Sequence, residues 1–490
     1  MLPPVGMVAI FLILLGLIVP VSCWLGLSGT SFVTDPEEWS GSGWPPIVAA
    51  MLALTLFAVP LLWVLVSRRM DLVSLSLAQN ALIFVGYFFI ETTAFKIAWE
   101  GRDMLRVVPL VLLFNAVGFC VLLLALGGTY GLATAAGVRL PSLQADPGRM
   151  DRNLRLFFLV IGLVAATIIA LPMAASGRIP LLESDSTAAR FEIVKHPALR
   201  ALYHLGTALL PFVVGGLIVG IARRPIRAIG LDGFLVAAIV IIQLLTSNRL
   251  PLAITLVVTA TLLSMERRVP RVVLAGAFAG YLVLFAGLSG FTGLLRAGDA
   301  VKENIVEESL KEAFLGDNLI DLRDGAWVFS HWDGQPLMGR TYLGGLTSMM
   351  PSALFPEKKE WHLGITGVRM VGWDPEHHFG LRITFFGESF LNFGWAGVVG
   401  LGVLLGAAFG LLLRCLHLAG MSEKPCLVRN VKIVMLIQML LPLSNTSDAF
   451  TTWSMLGMFA MILFFVDLPA RWTSRHARSH QPRRYAASRA

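Results

Sequence analysis

The stretch from Arg369 to Glu388 carries the densest reactive chemistry in the chain: Arg-Met-Val-Gly-Trp-Asp-Pro-Glu-His-His-Phe-Gly-Leu-Arg-Ile-Thr-Phe-Phe-Gly-Glu. His377 and His378 are adjacent, Arg369 and Arg382 lie on either side of them, Trp373 precedes them, and Glu388 closes the run. An imidazole with an ordinary pKa near ~6.5 can take a proton at neutral pH, and a guanidinium keeps its charge when partly desolvated. Together these side chains can deprotonate a hydroxyl and neutralise a phosphate. Each histidine taken alone reads equally well as an ordinary interface residue. Glu388 has a plain reading too, as a carboxylate near a helix N-terminus, favoured by about 0.3–1 kcal/mol through the macrodipole.

Further cations sit in turns elsewhere. Arg178, Arg190, Lys195 and His196 surround the Glu183-x-Asp185 pair, and Thr246-Ser247-Asn248-Arg249-Leu250-Pro251 places one arginine at the mouth of an otherwise apolar hairpin. A charge at mid-bilayer depth costs about 2.5–3.5 kcal/mol on insertion scales and less near the edge. Arg249 therefore either snorkels to headgroups or faces an anionic ligand. Gly339-Arg340, Gly344-Gly345 and the run Pro351 to Lys359 predict an irregular, turn-rich crossing that suits a lid or cleft wall. Upstream, Val306, Leu310 and Phe314 repeat at four-residue spacing, which predicts an amphipathic helix on the membrane face. Asp317, Asp321 and Asp324 share one helical side, with a solvated face favoured over a cation site because bulky residues separate them.

The elements that position these residues are apolar helices. Hydrophobic residues make up 56% of the chain and charged ones 14%, too few to cover a soluble fold of 490 residues. Runs of roughly 20 apolar residues cross a bilayer as helices, because a helix satisfies its own backbone where water is absent. Such spans are predicted at Met7–Leu27, Pro46–Ser67, Leu72–Thr92, Val107–Leu126, Leu154–Ala175, Ala201–Ala222, Ile229–Thr246, Leu250–Met265, Val272–Leu288, Phe390–Leu413, Val431–Leu443 and Thr452–Asp467, the eleventh being short. The expected fold is an all-α polytopic membrane protein with about 12 transmembrane helices. Four regions follow: helices one to nine in 1–289, a large loop in 290–388, helices ten to twelve in 389–467, and a basic tail in 468–490.

Basic residues set the orientation. Arg68, Arg69, Arg139, Arg149, Arg152, Arg155, Arg223, Arg224, Arg227, Arg267, Arg268, Arg271, Arg414, Lys424, Arg429, Lys432 and the tail arginines all fall on one side if the N-terminus is cytoplasmic. The positive-inside bias then puts both termini in the cytoplasm and the large loop outside. The formal net charge of +8 is mostly this topology signal, and nucleic acid is not an expected partner. The first span reads as a retained anchor helix, and the tail as a contact for anionic lipid of the inner leaflet. None of the four cysteines falls in the large loop, so no disulfide framework holds it. The sequence contains no nucleotide-binding loop or internal repeat, which argues against an ATP-driven pump.

Several of these residues also carry a family likeness. Arg190-Phe191-Glu192 after a mid-chain span, Arg249 in a tight turn, one large late loop, and Gly387-Glu388-Ser389-Phe390-Leu391-Asn392-Phe393-Gly394-Trp395-Ala396-Gly397 opening the next helix resemble the oligosaccharide repeat-unit polymerases of the Wzy type. The related O-antigen ligases share much of this layout. An Arg-x10-Gly pattern of some relatives can be placed from Arg369 to Gly380.

The resemblance implies a GT-C-like helical architecture and a metal-independent, inverting glycosyltransferase without a cofactor. Its substrates would be undecaprenyl-diphosphate-linked oligosaccharides at the periplasmic face of the bacterial inner membrane, with a polysaccharide chain-length regulator as a candidate partner. Arginines would offset the charge growing on the departing diphosphate. On this reading Arg190 and Arg249 hold the donor diphosphate, Arg369 and Arg382 hold diphosphate or sugar, Arg340 contributes to substrate binding, and Trp373 meets a sugar face. His378, then His377, with Glu388 as the carboxylate alternative, would deprotonate the acceptor hydroxyl, a role worth about 10²–10⁴ in rate. Gly394 and Gly397 are expected to allow close helix packing. Two alternatives stand beside the polymerase: a ligase delivering glycan to lipid A core, and a lipid-linked oligosaccharide flippase. A flippase should show related halves and mid-membrane broken helices, with Glu91 and Asp232 the residues to watch.

Overall fold

A computed structural model describes residues 102–139, 147–183, 197–223, 230–246, 249–265, 321–348, 350, 354–375, 381, 383–421, 426–444 and 449–470. Among these residues the regular structure is entirely helical. In chain order the helices are α1 (Arg102–Ala135), α2 (Pro147–Ser176), α3 (Pro197–Ala222), α4 (Gly230–Leu245), α5 (Arg249–Ser264), α6 (Asp321–Ser330), α7 (Arg340–Leu346), α8 (Leu363–Met370), α9 (Phe385–Met421), α10 (Leu427–Ser444) and α11 (Ala449–Ile462). A π-helical turn, Leu463–Asp467, continues α11. The expected spans at Met7–Leu27, Pro46–Ser67, Leu72–Thr92 and Val272–Leu288 lie outside the described residues, as does the expected amphipathic helix around Val306–Phe314.

Five of the helical segments are long and apolar enough to cross a membrane: Leu113–Ala135, Pro147–Ser176, Leu205–Ala222, Phe385–Ala419 and Trp453–Ala470. Their outward faces carry large apolar side chains such as Leu124, Leu156, Leu163, Leu171, Leu404 and Phe464, all well exposed. So much exposed hydrocarbon on helices of this length is the mark of a protein solvated by lipid.

The described residues form two compact units. One draws on residues up to 137, on 271–414 and on 437–453; the other draws on 138–270, on 415–436 and on 454 onward. In the first, α1 and α9 pack closely through Gly402, Gly406 and Gly410, whose four-residue spacing puts them on one face. A Cβ at these positions would lie 2.9, 2.3 and 2.5 Å from the carbonyl oxygens of Gly118, Leu122 and Leu126, so only glycine admits this approach. More than three turns into α1, Phe114 stacks on Phe390 at 5.0 Å and meets Phe329 of α6 at 5.2 Å. This aromatic cluster seats the large loop on the helices.

In the second unit α3 is the central helix, with Leu210, Phe212, Val213, Val214 and Val219 fully buried. Gly216 of α3 lies so close to the Phe158 ring of α2 that a Cβ there would overlap it. Charges gather where α2, α4 and α10 begin and α3 ends. Arg155 Nε donates to both oxygens of Asp232, at 3.0 and 2.8 Å, which accounts for a carboxylate that is wholly buried in an apolar helix. Asp151 pairs with Arg223 and accepts the backbone N–H groups of Leu427 and Val428, capping α10 from a neighbouring helix.

Candidate functional site on the large loop

The described part of the loop begins with α6, whose apolar face (Ala326, Trp327, Val328, Phe329) is buried. The chain leaves α6 at His331 and turns through Trp332, Asp333 and Gly334, where φ of 82° favours glycine. Asp333 Oδ1 accepts the Gln335 N–H at 2.9 Å and Trp332 Nε1 donates to the Gln335 carbonyl at 2.9 Å, so the turn braces itself. His331 Nδ1 lies 3.0 Å from the Trp327 carbonyl oxygen. Ser330 Oγ lies equally near, 3.0 Å from the same ring nitrogen, so the two contacts hold the imidazole at the end of α6.

Beyond this turn, the chain docks on a break in α9. Gly394 has φ 61° and ψ −148°, a backbone region open essentially to glycine alone. The break frees carbonyls that an unbroken helix would use, and the loop takes them up: Leu337 N–H donates to Leu391 O at 3.1 Å and Met338 N–H to Asn392 O at 3.0 Å. Gly394 thus serves the break, and a Cβ there would meet nothing within 4 Å, so the expected packing role does not hold for it. Gly397 does pack closely, since a Cβ would lie 2.4 Å from the Ser389 carbonyl across the bend.

Side chains complete the dock. Asn392 Nδ2 donates to Thr341 Oγ1 at 2.7 Å and to the Glu388 carbonyl at 2.8 Å, while its Oδ1 accepts the Gly339 N–H at 3.0 Å. Thr341 Oγ1 in turn donates to Glu388 Oε1 at 2.6 Å. Thr341, Glu388 and Asn392 are all fully buried. Thr384 caps α9 by accepting the Gly387 N–H, and its hydroxyl donates to Asn115 of α1 at 2.9 Å. Tyr342 stacks on Phe393 at 6.0 Å, and its buried hydroxyl has no partner at hydrogen-bonding geometry. Burial, and then the neighbouring Glu388 charge, push the Tyr342 phenol well above its ordinary pKa, an effect that Ser389 only partly offsets.

Between the self-braced turn and the start of α7 lies a cleft of about 380 Å³, lined by His331, Trp332, Asp333, Gln335, Pro336, Leu337, Met338, Arg340 and Met370. It offers one guanidinium, one imidazole, one carboxylate and an indole. Such a set can hold an anion, take a proton and face an apolar sugar surface.

Of the sequence-derived candidates, Arg340 lines this cleft. Arg369, one residue before the cleft-lining Met370, lies 3.7 Å from Glu360 with both side chains about half exposed, a pairing that contributes little energy. Trp373 packs edge-on against Trp327 at 4.0 Å. Glu388 sits in the buried network, away from solvent. His377, His378, Arg190 and Arg382 lie outside the described residues; Arg249 begins α5, and its side chain is also outside them. Asp324 is only 2% exposed, which removes it from the solvated face expected for the three aspartates.

Sequence reasoning passed over His331, Trp332, Asp333 and Thr341. A His-Trp-Asp-Gly turn at the end of a short helix was the available signal for the first three. Thr341 gave none, because its partner lies 47 positions along the chain. Comparison with known proteins finds no matching family model, no similar curated protein and no similar solved structure.

Proposed function

We propose that this protein is a membrane-embedded glycosyltransferase that joins undecaprenyl-diphosphate-linked oligosaccharide repeat units at the periplasmic face of a bacterial inner membrane. The observation that carries the proposal is the loop cleft, where Arg340, His331, Asp333 and Trp332 converge beside membrane helices. A lipid diphosphate leaves readily once its growing charge is met, and a guanidinium in a partly enclosed cleft meets it by paired hydrogen bonds. The acceptor hydroxyl needs a base on the opposite side of the sugar ring, which gives inversion in one displacement. His331, which lines the cleft, is the candidate for that role in the described part of the loop. His377, His378, Arg190, Arg249 and Arg382 remain the sequence's candidates to join it, and no metal or cofactor is invoked.

The α9 break supports an enzyme over a flippase. From Trp395 to Met421 the helix is about 40 Å long, more than the ~30 Å of a hydrocarbon layer, so the part after the break is long enough to cross by itself, which favours a break at the end of a span over one at its middle. A transporter site built on broken helices belongs near the midplane.

The test is product formation by purified protein in liposomes supplied with a defined lipid-linked repeat unit. A ladder on the lipid diphosphate identifies a polymerase, and transfer to lipid A core identifies the ligase. Movement of the intact substrate across the bilayer with no new glycosidic bond would overturn the proposal. Arg340→Ala should raise KM for the lipid-linked donor about tenfold or more, the scale of losing a charge-assisted contact of about 1.5–3 kcal/mol, with the protein still inserted and folded.

A further inference from the structure

The loop has an apolar edge that no part of the described structure covers. Met338, Leu343, Leu346, Met350 and Leu354 are between 44% and 77% exposed, although the described residues beside them are held by several contacts. Thr347 Oγ1 bonds the Leu343 carbonyl, Lys358 Nζ bonds the carbonyls of Ser348 and Met350, and Gly344 packs on the backbone of Trp361 so closely that a Cβ there would lie 2.6 Å from its oxygen. The buried face of α7, with Thr341, Gly344 and Gly345, is thereby fixed, and Leu343 and Leu346 are held outward. Met338 is the only non-glycine residue with positive φ among those described, at 52°, a strained backbone that presents its side chain to the outside.

The stripe continues onto a membrane helix. Gly339, Tyr342, Leu343 and Leu346 fall at the i, i+3, i+4, i+7 spacing of one helical face. Phe393 of α9 touches this face at its beginning, stacking on Tyr342 and lying where a Gly339 Cβ would meet its ring at 3.1 Å. Phe393 is itself 45% exposed, and after it Trp395, Val399 and Val403 run exposed along α9. The loop edge and the outward face of a helix suited to crossing a bilayer are one continuous apolar surface.

We infer that the edge formed by Met338, Leu343, Leu346, Met350 and Leu354 is immersed in the hydrocarbon of the leaflet on the loop's side, with bilayer lipid as its occupant. The inference goes beyond the glycosyl-transfer reading and needs only that the chain spans a membrane. An apolar edge rimmed by Arg340 and Lys358 is the arrangement by which amphipathic segments lie in an interface, with chains sunk and cations at headgroup level. The cleft opens beside Met338 and Arg340, so its mouth is held at headgroup depth. Where the glycosyl-transfer reading also holds, a lipid-borne diphosphate reaches Arg340 without its tail leaving the bilayer.

The unmodified full-length protein tests this in vesicles whose phosphatidylethanolamine carries a photoactivatable diazirine on the acyl chain, with adducts mapped by mass spectrometry. Adducts at Leu343, Leu346 and Met350 should exceed those at Asp333 and Gln335 severalfold. Adducts confined to the long apolar helices, with none on 338–354, would overturn the inference. So would labelling of that edge that disappears as the protein-to-lipid ratio rises, since a second copy would then be the occupant. The readout is independent of catalysis, so a negative result leaves the glycosyl-transfer reading untouched, and an inactive enzyme leaves this one untouched.

Discussion

Replacing Asn392 by alanine removes three hydrogen bonds at once from a fully buried position: those to Thr341 Oγ1 and the Glu388 carbonyl, and the one received from Gly339 N–H. A typical bond contributes about 0.5–1.5 kcal/mol net, and a donor stranded in the interior costs about 1–3 kcal/mol. Gly339 is only partly buried, so water offsets some of its loss, and the expected cost is about 2–4 kcal/mol. That energy belongs to the docking of the loop on the α9 break and not to the membrane helices. Amide hydrogen exchange is therefore the assay. The Leu337, Met338 and Gly339 amides, all bonded to the Leu391–Asn392 segment, should exchange roughly 30- to 700-fold faster, at about 1.4 kcal/mol per factor of ten. Amides in the part of α9 that packs on α1 should keep their rates. Wild-type exchange at those three loop amides, within threefold, would show that the network does not hold the loop and would refute the reasoning.

Gly394→Ala should cost about 1–3 kcal/mol in thermal unfolding in detergent, because its φ of 61° and ψ of −148° strain any side chain, whereas Gly400→Ala, with open space around it, should be neutral or stabilising. Tyr342→Phe keeps the stack on Phe393 and removes a buried hydroxyl that Ser389 approaches without good hydrogen-bonding geometry, so stability at pH 7 should hold or rise. The wild-type phenol has a folded pKa raised above the unfolded value of about 10, so its contribution is complete below that pH and is lost as pH climbs past it; denaturation midpoints above pH 10 should fall more steeply in wild type than in the variant. Arg155→Ala leaves Asp232 buried without its guanidinium and should cost about 3–5 kcal/mol, and Arg155→Ala with Asp232→Asn should recover much of it in the same unfolding measurement.

The helices were legible because lipid imposes a simple rule on sequence. The expected spans at Val107–Leu126 and Leu154–Ala175 lie inside α1 and α2, and both helices run further; α1 continues through Gly127, Gly128 and Gly131, poor helix formers, where Thr129 and Tyr130 pack against Gly410 of α9, so packing overrides propensity there. The span expected at Phe390–Leu413 shows where hydropathy stops being informative. Helix α9 starts at Phe385, and its break at Gly394 falls inside an unbroken run of hydrophobic character. Glu388 and Asn392, four residues apart, could be placed on one face from spacing alone. Their partner Thr341 could not, since nothing local encodes a contact across a loop of irregular path. His331 was passed over for the opposite reason: its surroundings look like any polar turn, and the contacts that orient its ring, to Ser330 and to a carbonyl one helical turn back, exist only once α6 forms.

The helix interruption also divides the molecule into parts that can and cannot be exchanged. Backbone amides of 337–339 find their acceptors on residues made some fifty positions later in translation, so neither partner is complete without the other. A chimera that imports a foreign loop in place of the stretch around 337–346 must carry the stretch from Thr384 to Gly397 with it. The remainder of that transmembrane rod, from Val398 onward, answers instead to the glycine-lined seam with α1 and can stay behind.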